Sequence, residues 1–329
     1  MVFKKLLGSL GVGGPTVDTV LEPGAVMPGG SLSGQVRLKG GGTDFTVEHI
    51  TLELVAHVEA EHEEGESEGA VAFDRFTVSG GFVLAEGAEH TVPFSVTLPW
   101  ETPVTELYGQ DLGIVLGVRT ELSVAGARDK GDLDRLTVGP LPAQEAVLEA
   151  FGRLGFGFRS ADLELGHIHG SGQRLPFYQE IELSPSPRYA DRISEIEVTF
   201  LAGADGLDVV LEADKRGGLF SGGDAVSRFT IGHHEVQGRD WATEVDGWVQ
   251  ALAEARSAHG APAAYGAPES HGPGDGHAHH SGPGLGTAVA AGAAGVAVGV
   301  VGGMVAAEVV DEVGDFFEGD EEEDEGDEG

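Results

Sequence analysis

From Ile50 to Ala60 the chain alternates: Ile50, Leu52, Leu54, Ala56, Val58 and Ala60 are apolar, with Thr51, Glu53, His57 and Glu59 between them. A period of two sends successive side chains to opposite faces of a strand, so this stretch reads as a half-buried β-strand and not as a helix. The same period returns from Val17 onward through the first domain, residues 1–139. Leu32, Gly34, Val36 and Leu38 alternate with polar residues after the turn Pro28-Gly29-Gly30, and Ile114 to Val124 gives the clearest alternation of all. Val92, Phe94, Val96 and Leu98 form another such run, which Pro93 marks as an edge strand because proline cannot donate to a ladder. The acid-rich Glu61–Gly69 reads as a solvated hairpin tip, Pro99–Pro103 as a break, and Arg128–Asp134 as a charged turn. About seven short strands separated by Gly/Pro turns describe a β-sandwich.

One segment interrupts this pattern. In Gly139–Phe158, Val147, Leu148, Phe151 and Leu154 share a helical face, with Gln144, Glu145, Glu149 and Arg153 opposite. Pro140 and Pro142 suit the start and Gly155 the end, so the spacing predicts a short helix at the junction of two domains. Strand patterning resumes through Leu175–Leu183, Ile196–Phe200, Leu207–Leu211 and Val226–Ile231, which predicts a second sandwich over residues 140–256. Trp241, Val245, Trp248, Val249 and Leu252 then return to helical period behind a candidate cap, Asp240, and predict a closing helix docked on that domain.

The 329-residue chain has no cysteine, which excludes disulfides and thiolate metal sites, and a formal net charge of -36. Its last stretch, Asp311–Gly329, holds twelve acids, and no Lys or Arg follows Arg256. Nucleic acid is thereby excluded as an expected partner, since phosphate binding rests on Lys and Arg. Residues 257–284 form a His/Gly/Pro tract too polar and glycine-rich to fold, expected to be a linker. Residues 285–310 open with an uncharged Gly/Ala/Val run in which Gly292, Gly295, Gly299 and Gly303 lay a small-residue groove along one helical face. That pattern suits close helix approach and predicts a membrane or self-association helix. Residues 311–329 read as an acidic disordered tail. At the other end, Phe3, Leu6, Leu7 and Leu10 share a helical face beside Lys4 and Lys5, either capping the first domain or touching a membrane surface.

Several ordered blocks carry a resemblance: FKKLLGSLGVG, VDTVLEPGAVMPGGSLSGQVRLKGG, LPFYQEIEL, and ISEIEVTFL with GLDVVLEADKRGGLF. Over about residues 1–256 they resemble the bacterial sporulation-control protein M family, especially its actinomycete members. The resemblance implies an all-β fold of two arrestin-like β-sandwich domains, and a non-enzymatic regulatory role in sporulation and cell division.

The residues themselves supply no catalytic motif: no G-x-S-x-G, Walker loop, H-E-x-x-H or dinucleotide fingerprint is present. No cofactor is expected. His167 and His169, in GHIHG, would face the same way on a strand and are the candidate metal ligands. The leading expectation is an adaptor in the cytoplasm, reaching the membrane through residues 285–310, that recruits protein partners through exposed strand edges, with Leu175–Leu183 the favoured edge. The competing readings are a small-molecule or metal-binding β-sandwich and a self-assembling structural protein.

Overall fold

A computed structural model describes residues 13–62, 65–125, 130–213 and 225–259. The first half holds β1 (Thr16–Leu21), β2 (Ser31–Lys39), β3 (Phe45–His62), β4 (Gly65–Leu84), β5 (Glu89–Thr97), β6 (Glu106–Leu107), β7 (Gln110–Asp111), β8 (Leu116–Val124) and β9 (Lys130–Arg135). Strands β1-β2-β5 form one sheet, and β4-β3-β8-β9 lie in the sheet facing it. Leu32, Val36, Leu38 and Phe94 from the first meet Ile50, Leu52, Leu54, Leu116, Val118 and Leu122 from the second in one buried core. The sandwich thus follows from the alternation. Among the described residues β5 pairs with β2 alone, so Pro93, opposite Gln35, sits on an edge strand.

Two segments depart from the sequence reading. The β3–β4 hairpin does not end in a loop at Glu61: the strands, of eighteen and twenty residues, continue in register to His62↔Gly65. Backbone pairing continues through acidic side chains because the ladder is made by amides and carbonyls, which every residue supplies. Likewise the second half of the expected Arg128–Asp134 turn is strand β9, paired with β8 from Lys130↔Leu122 to Arg135↔Gly117.

The second half holds α1 (Pro142–Arg153), β10 (Gly157–Leu165), β11 (Phe177–Ser184), β12 (Ile196–Ala202), β13 (Gly206–Ala213), β14 (Ala225–Gly232) and α2 (Trp241–His259). Its strands form an antiparallel run, β10-β11-β12-β13-β14. Among the described residues the layer over its apolar face is helical: Val147 and Phe151 of α1 and Val245, Val249 and Leu252 of α2 share a core with Ile196, Val198, Val209 and Leu211. β3 joins the halves into one sheet. Along Val47–Ala56 it pairs with β8, and farther out Glu59 pairs in parallel with Glu164 of β10. The two cores therefore do not divide at the sequence boundary, since Leu163, Leu175 and Phe177 belong to the first and Ile181 and Leu183 to the second.

The ends of both helices are built by their own residues. Gln144, placed on the outer face by the helical wheel, is buried because its Oε1 turns back to accept the Leu141 amide (2.8 Å), satisfying a donor left open at the helix start. At the other end Gly155 takes φ +87°, and the amides of Gly155 and Phe156 donate to the carbonyls of Gly152 and Phe151, both at 3.0 Å. This is a Schellman closure, and the Phe151 and Phe156 rings meet edge to face at 5.2 Å across it. Asp240 caps α2 through the Thr243 hydroxyl (2.8 Å) and amide (3.3 Å). These bonds to the charged carboxylate hold its carboxyl below the usual range.

Candidate interaction surfaces at the domain seam and sheet edge

The loop Pro99–Thr105, read from sequence only as a break, clasps the second half. Trp100 stacks on His233 with ring centroids 5.2 Å apart. On its other side it leaves no room for a side chain at Gly29, where a Cβ would lie 2.6 Å from the ring and φ is +70°. The Glu101 carboxylate accepts the amides of Arg174 (2.8 and 2.9 Å) and Leu175 (2.8 Å). Gln179 of β11 accepts the Val104 amide at 2.9 Å and donates to the Val104 carbonyl at 2.8 Å. A buried side-chain amide thus imitates one strand pair and satisfies backbone groups that no strand reaches. Periodicity carries no signal for such a contact.

Beside this clasp runs an apolar groove of about 450 Å³. Its first-half wall is the β6–β7 hairpin, whose tip Tyr108-Gly109 has φ +54° and +75°. Both values suit a two-residue type I′ turn, in which Gly is ordinary and a tyrosine costs about 1 kcal/mol or more. Leu107 and Leu112 of this wall face Leu148 and Phe151 of α1, with Phe156, Ile181 and Leu183 also lining the groove. Tyr108 is 63% exposed and Phe158 51%, and both line it. Partial burial, then the carboxylates of Glu145 and Glu149, raise the Tyr108 phenol above its ordinary value, with Arg153 acting the other way. Arg153 is itself ion-paired with Glu149.

The second surface is an edge. Among the described residues β4 pairs with β3 and with no other strand, which leaves the other side of a twenty-residue strand as an edge of the sheet. Two irregularities of register, opposite Ile50/Thr51 and Leu54/Val55, twist it. The favoured edge of the sequence reading, Leu175–Leu183, does not qualify. Its strand β11 lies inside the sheet, bonded to β10 from Phe177 to Ser184 and to β12 through Ile181, Glu182 and Leu183, and is not an edge strand.

The helix residues proposed for the junction sit as follows: Val147 and Phe151 are buried, while Leu148 and Leu154 are partly buried against the second core. His167 and His169 lie on an exposed turn, closed by the Ser171 hydroxyl on the Ile168 carbonyl (2.6 Å), and not on a strand. Carboxylates, not histidines, come together on the outer face of the second sheet. Asp162, Glu164 and Glu180 form one group, and Glu182, Glu195 and Glu197 another, each with ligand-type atoms within 4.8 Å of one another. Glu182 already accepts the Ser160 hydroxyl (2.6 Å), and Glu195 is ion-paired with Arg159. Gly292, Gly295, Gly299 and Gly303 lie outside the described residues. Among the described residues no helix is long and apolar enough to cross a membrane.

Comparison with known proteins agrees with this architecture. The model of the family described as SpoOM protein matches residues 3–217. The chain is 34% identical over 252 residues to the sporulation-control protein spo0M of Bacillus subtilis (strain 168), covering 74% of this chain and 95% of that protein. The crystal structure of Spo0M from Bacillus subtilis superposes with a TM-score of 0.64 at 30% identity, covering 74% of this chain and 99% of that one. A family match over most of the chain, a relative aligned along nearly its whole length and a shared arrestin-like β fold lead to one conclusion: the chain belongs to the Spo0M family of sporulation-control proteins.

Proposed function

We propose that the chain is a non-enzymatic adaptor in sporulation and cell-division control, and that it recruits a protein partner by strand addition at β4. The open edge of that strand carries the reading. Along residues 73–84, where no other described strand pairs with it, its outward amides and carbonyls offer main-chain hydrogen bonds to an extended partner segment. Val83, 63% exposed on β4, offers a side-chain contact beside them. The family supports the regulatory role, since the relative it matches is a sporulation-control protein. Residues 285–310 then serve to bring the adaptor to the membrane or to another copy.

A photo-crosslinker in place of Val83, in the native host during sporulation, is expected to give one reproducible protein adduct, absent from a control at exposed Val226 of β14. Val83→Lys, a charge of the kind that blunts edge strands, should remove the adduct of a crosslinker placed at Thr77 and fail to complement a deletion strain. Full complementation by that variant, with the adduct retained, would refute strand addition at β4. The membrane role has its own test, fractionation of the full chain beside a version ending at residue 260. If both remain in the soluble fraction, residues 285–310 are not an anchor.

A further inference from the structure

We propose that the seam groove binds a small amphiphilic amine, an apolar body that ends in an ammonium group. The inference goes beyond the adaptor reading, which rests on β4. At about 450 Å³ the groove lies within the ~300–1,000 Å³ of sites that enclose a small molecule, and its walls are apolar with few polar groups among them. The β6–β7 hairpin, α1, β10 and β11 all contribute to those walls. Five large apolar side chains are exposed among the described residues, and the two aromatic ones, Tyr108 and Phe158, both line this groove. Tyr108 is held there at the expense of a left-handed backbone.

The helical wall leaves room for an occupant. Leu148 and Gly152, one turn apart on α1, both line the groove. Glycine weakens a helix relative to alanine, because it gives up the most backbone freedom on folding. Gly152 has no conformational reason to be glycine: it is helical, without the positive φ that Gly155 takes. Packing does not require it either, since a Cβ added there would meet no described neighbour within 4 Å. The fold gains nothing from this glycine, whereas the groove gains open space beside Leu148.

The polar groups select the end of the ligand. Tyr108, Glu149 and Arg153 are the charged or hydroxyl-bearing side chains of the lining. Arg153 is paired with Glu149 through Oε1, and Oε2 of the same carboxylate can accept a further hydrogen bond. Glu145, one turn earlier on α1, adds a second carboxylate. The Tyr108 phenol registers the balance: after partial burial, Glu145 and Glu149 raise it, with Arg153 acting the other way. Two carboxylates against one guanidinium repel an acid and attract a cation. An ammonium group there can donate to Glu149 and lie against the Tyr108 ring, while its apolar body covers Leu148, Phe151 and Phe158.

Fluorescence of N-phenyl-1-naphthylamine with the full chain, and its displacement by decylamine or decanoate below their micelle concentrations, tests this. The dye is expected to bind, and decylamine to displace it at least tenfold better than decanoate. Gly152→Leu fills the groove at an open position. It should weaken dye binding at least tenfold while its Tm stays at or above that of the parent, which separates a blocked groove from an unfolded one. Phe158→Ala, at an exposed site, should weaken the dye as well. Glu149→Gln should lose most of the preference for decylamine, although it removes a single unit from the formal charge of -36. The proposal is overturned if the dye binds the Gly152→Leu variant as tightly as the parent, or if decanoate displaces it as well as decylamine does. An amine preference that survives Glu149→Gln would belong to the net charge of the chain and would overturn it too. So would displacement by a basic Leu/Lys amphipathic peptide but not by decylamine, which would give the groove to a protein helix. None of these results touches the β4 crosslink.

Discussion

Asp134 shows how one side chain can set the pH response of a fold. Asp132 and Asp134 turn from β9 toward β1, where the Thr19 amide donates to Asp132 (2.6 Å) and the Thr19 and Thr120 hydroxyls share a hydrogen bond of 2.6 Å. Asp134 Oδ2 is buried and has no partner. Burial first, then repulsion from Asp132 and Asp18, push its carboxyl up to about 7. The Arg37 guanidinium, 3.9 Å from Asp18, is the cation on this side. Because the folded state holds its proton more tightly than the unfolded chain, stability should fall as pH rises from about 4 to about 7, and level off above that. Asp134→Asn removes the penalty. It should match the parent near pH 4 and exceed it at pH 8 by on the order of 1 kcal/mol, after allowance for solvent screening at a partly exposed site. Urea melts at the two pH values measure this, and equal gains at both would refute the assignment. Asp132, raised for the same first reason, keeps a residual slope in the variant.

At the scale of elements, local chemistry decides where each helix stops, and α1 gives the sharpest case. Gly155 at φ +87° permits the closure that lets Phe156 fold back on Phe151, and Phe156 in turn stacks on Tyr189 at 5.9 Å. A Cβ there would meet Ser186 only at an ordinary 3.5 Å, so the cost of Gly155→Ala lies in the backbone: about 1 to 2 kcal/mol. With ~2–4 °C per kcal/mol for a protein of this size, calorimetry should show a Tm lower by a few degrees, and an unchanged Tm would contradict the reading. The helix was legible because cap, stripe and stop lie within one segment. For the same reason the α2 stripe was legible, with Trp241, Val245, Val249 and Leu252 buried and Trp248 stacked on Phe229 at 4.4 Å. Strands were legible as faces but not as neighbours. Alternation along Leu175–Leu183 fixes which side chains point inward, yet nothing in it says that β10 and β12 occupy both edges. Buried charge was hidden too: Glu53, on the face read as solvent-exposed, is buried beneath Arg119 (2.8 Å from Nε) and Arg75 (3.1 Å), a network made by three separate strands.

For the whole molecule, the question is whether two cores behave as two units. Chains of this length commonly unfold domain by domain. Here four connections oppose that: the shared sheet through Glu59 and Glu164, the Trp100 stack on His233, the Glu101 carboxylate on the Arg174 and Leu175 amides, and the Gln179 amide on Val104. The last is the deepest, with Val104 2% exposed and Gln179 9%. Gln179→Leu keeps the volume but leaves the Val104 amide and carbonyl without partners, at about 1 to 3 kcal/mol for each orphaned group. Because these groups lie between the cores, the loss should fall on their coupling. In native-state hydrogen exchange against denaturant, the slowest amides of β3 and β8 and those of β12 and β13 should open with a common free energy in the parent. In Gln179→Leu the two sets should separate, one half opening before the other with a smaller denaturant dependence. If the two sets fall together by the same amount, the clasp stabilises each half without joining them. The sheet pairing between β3 and β10 would then be what makes the molecule one body.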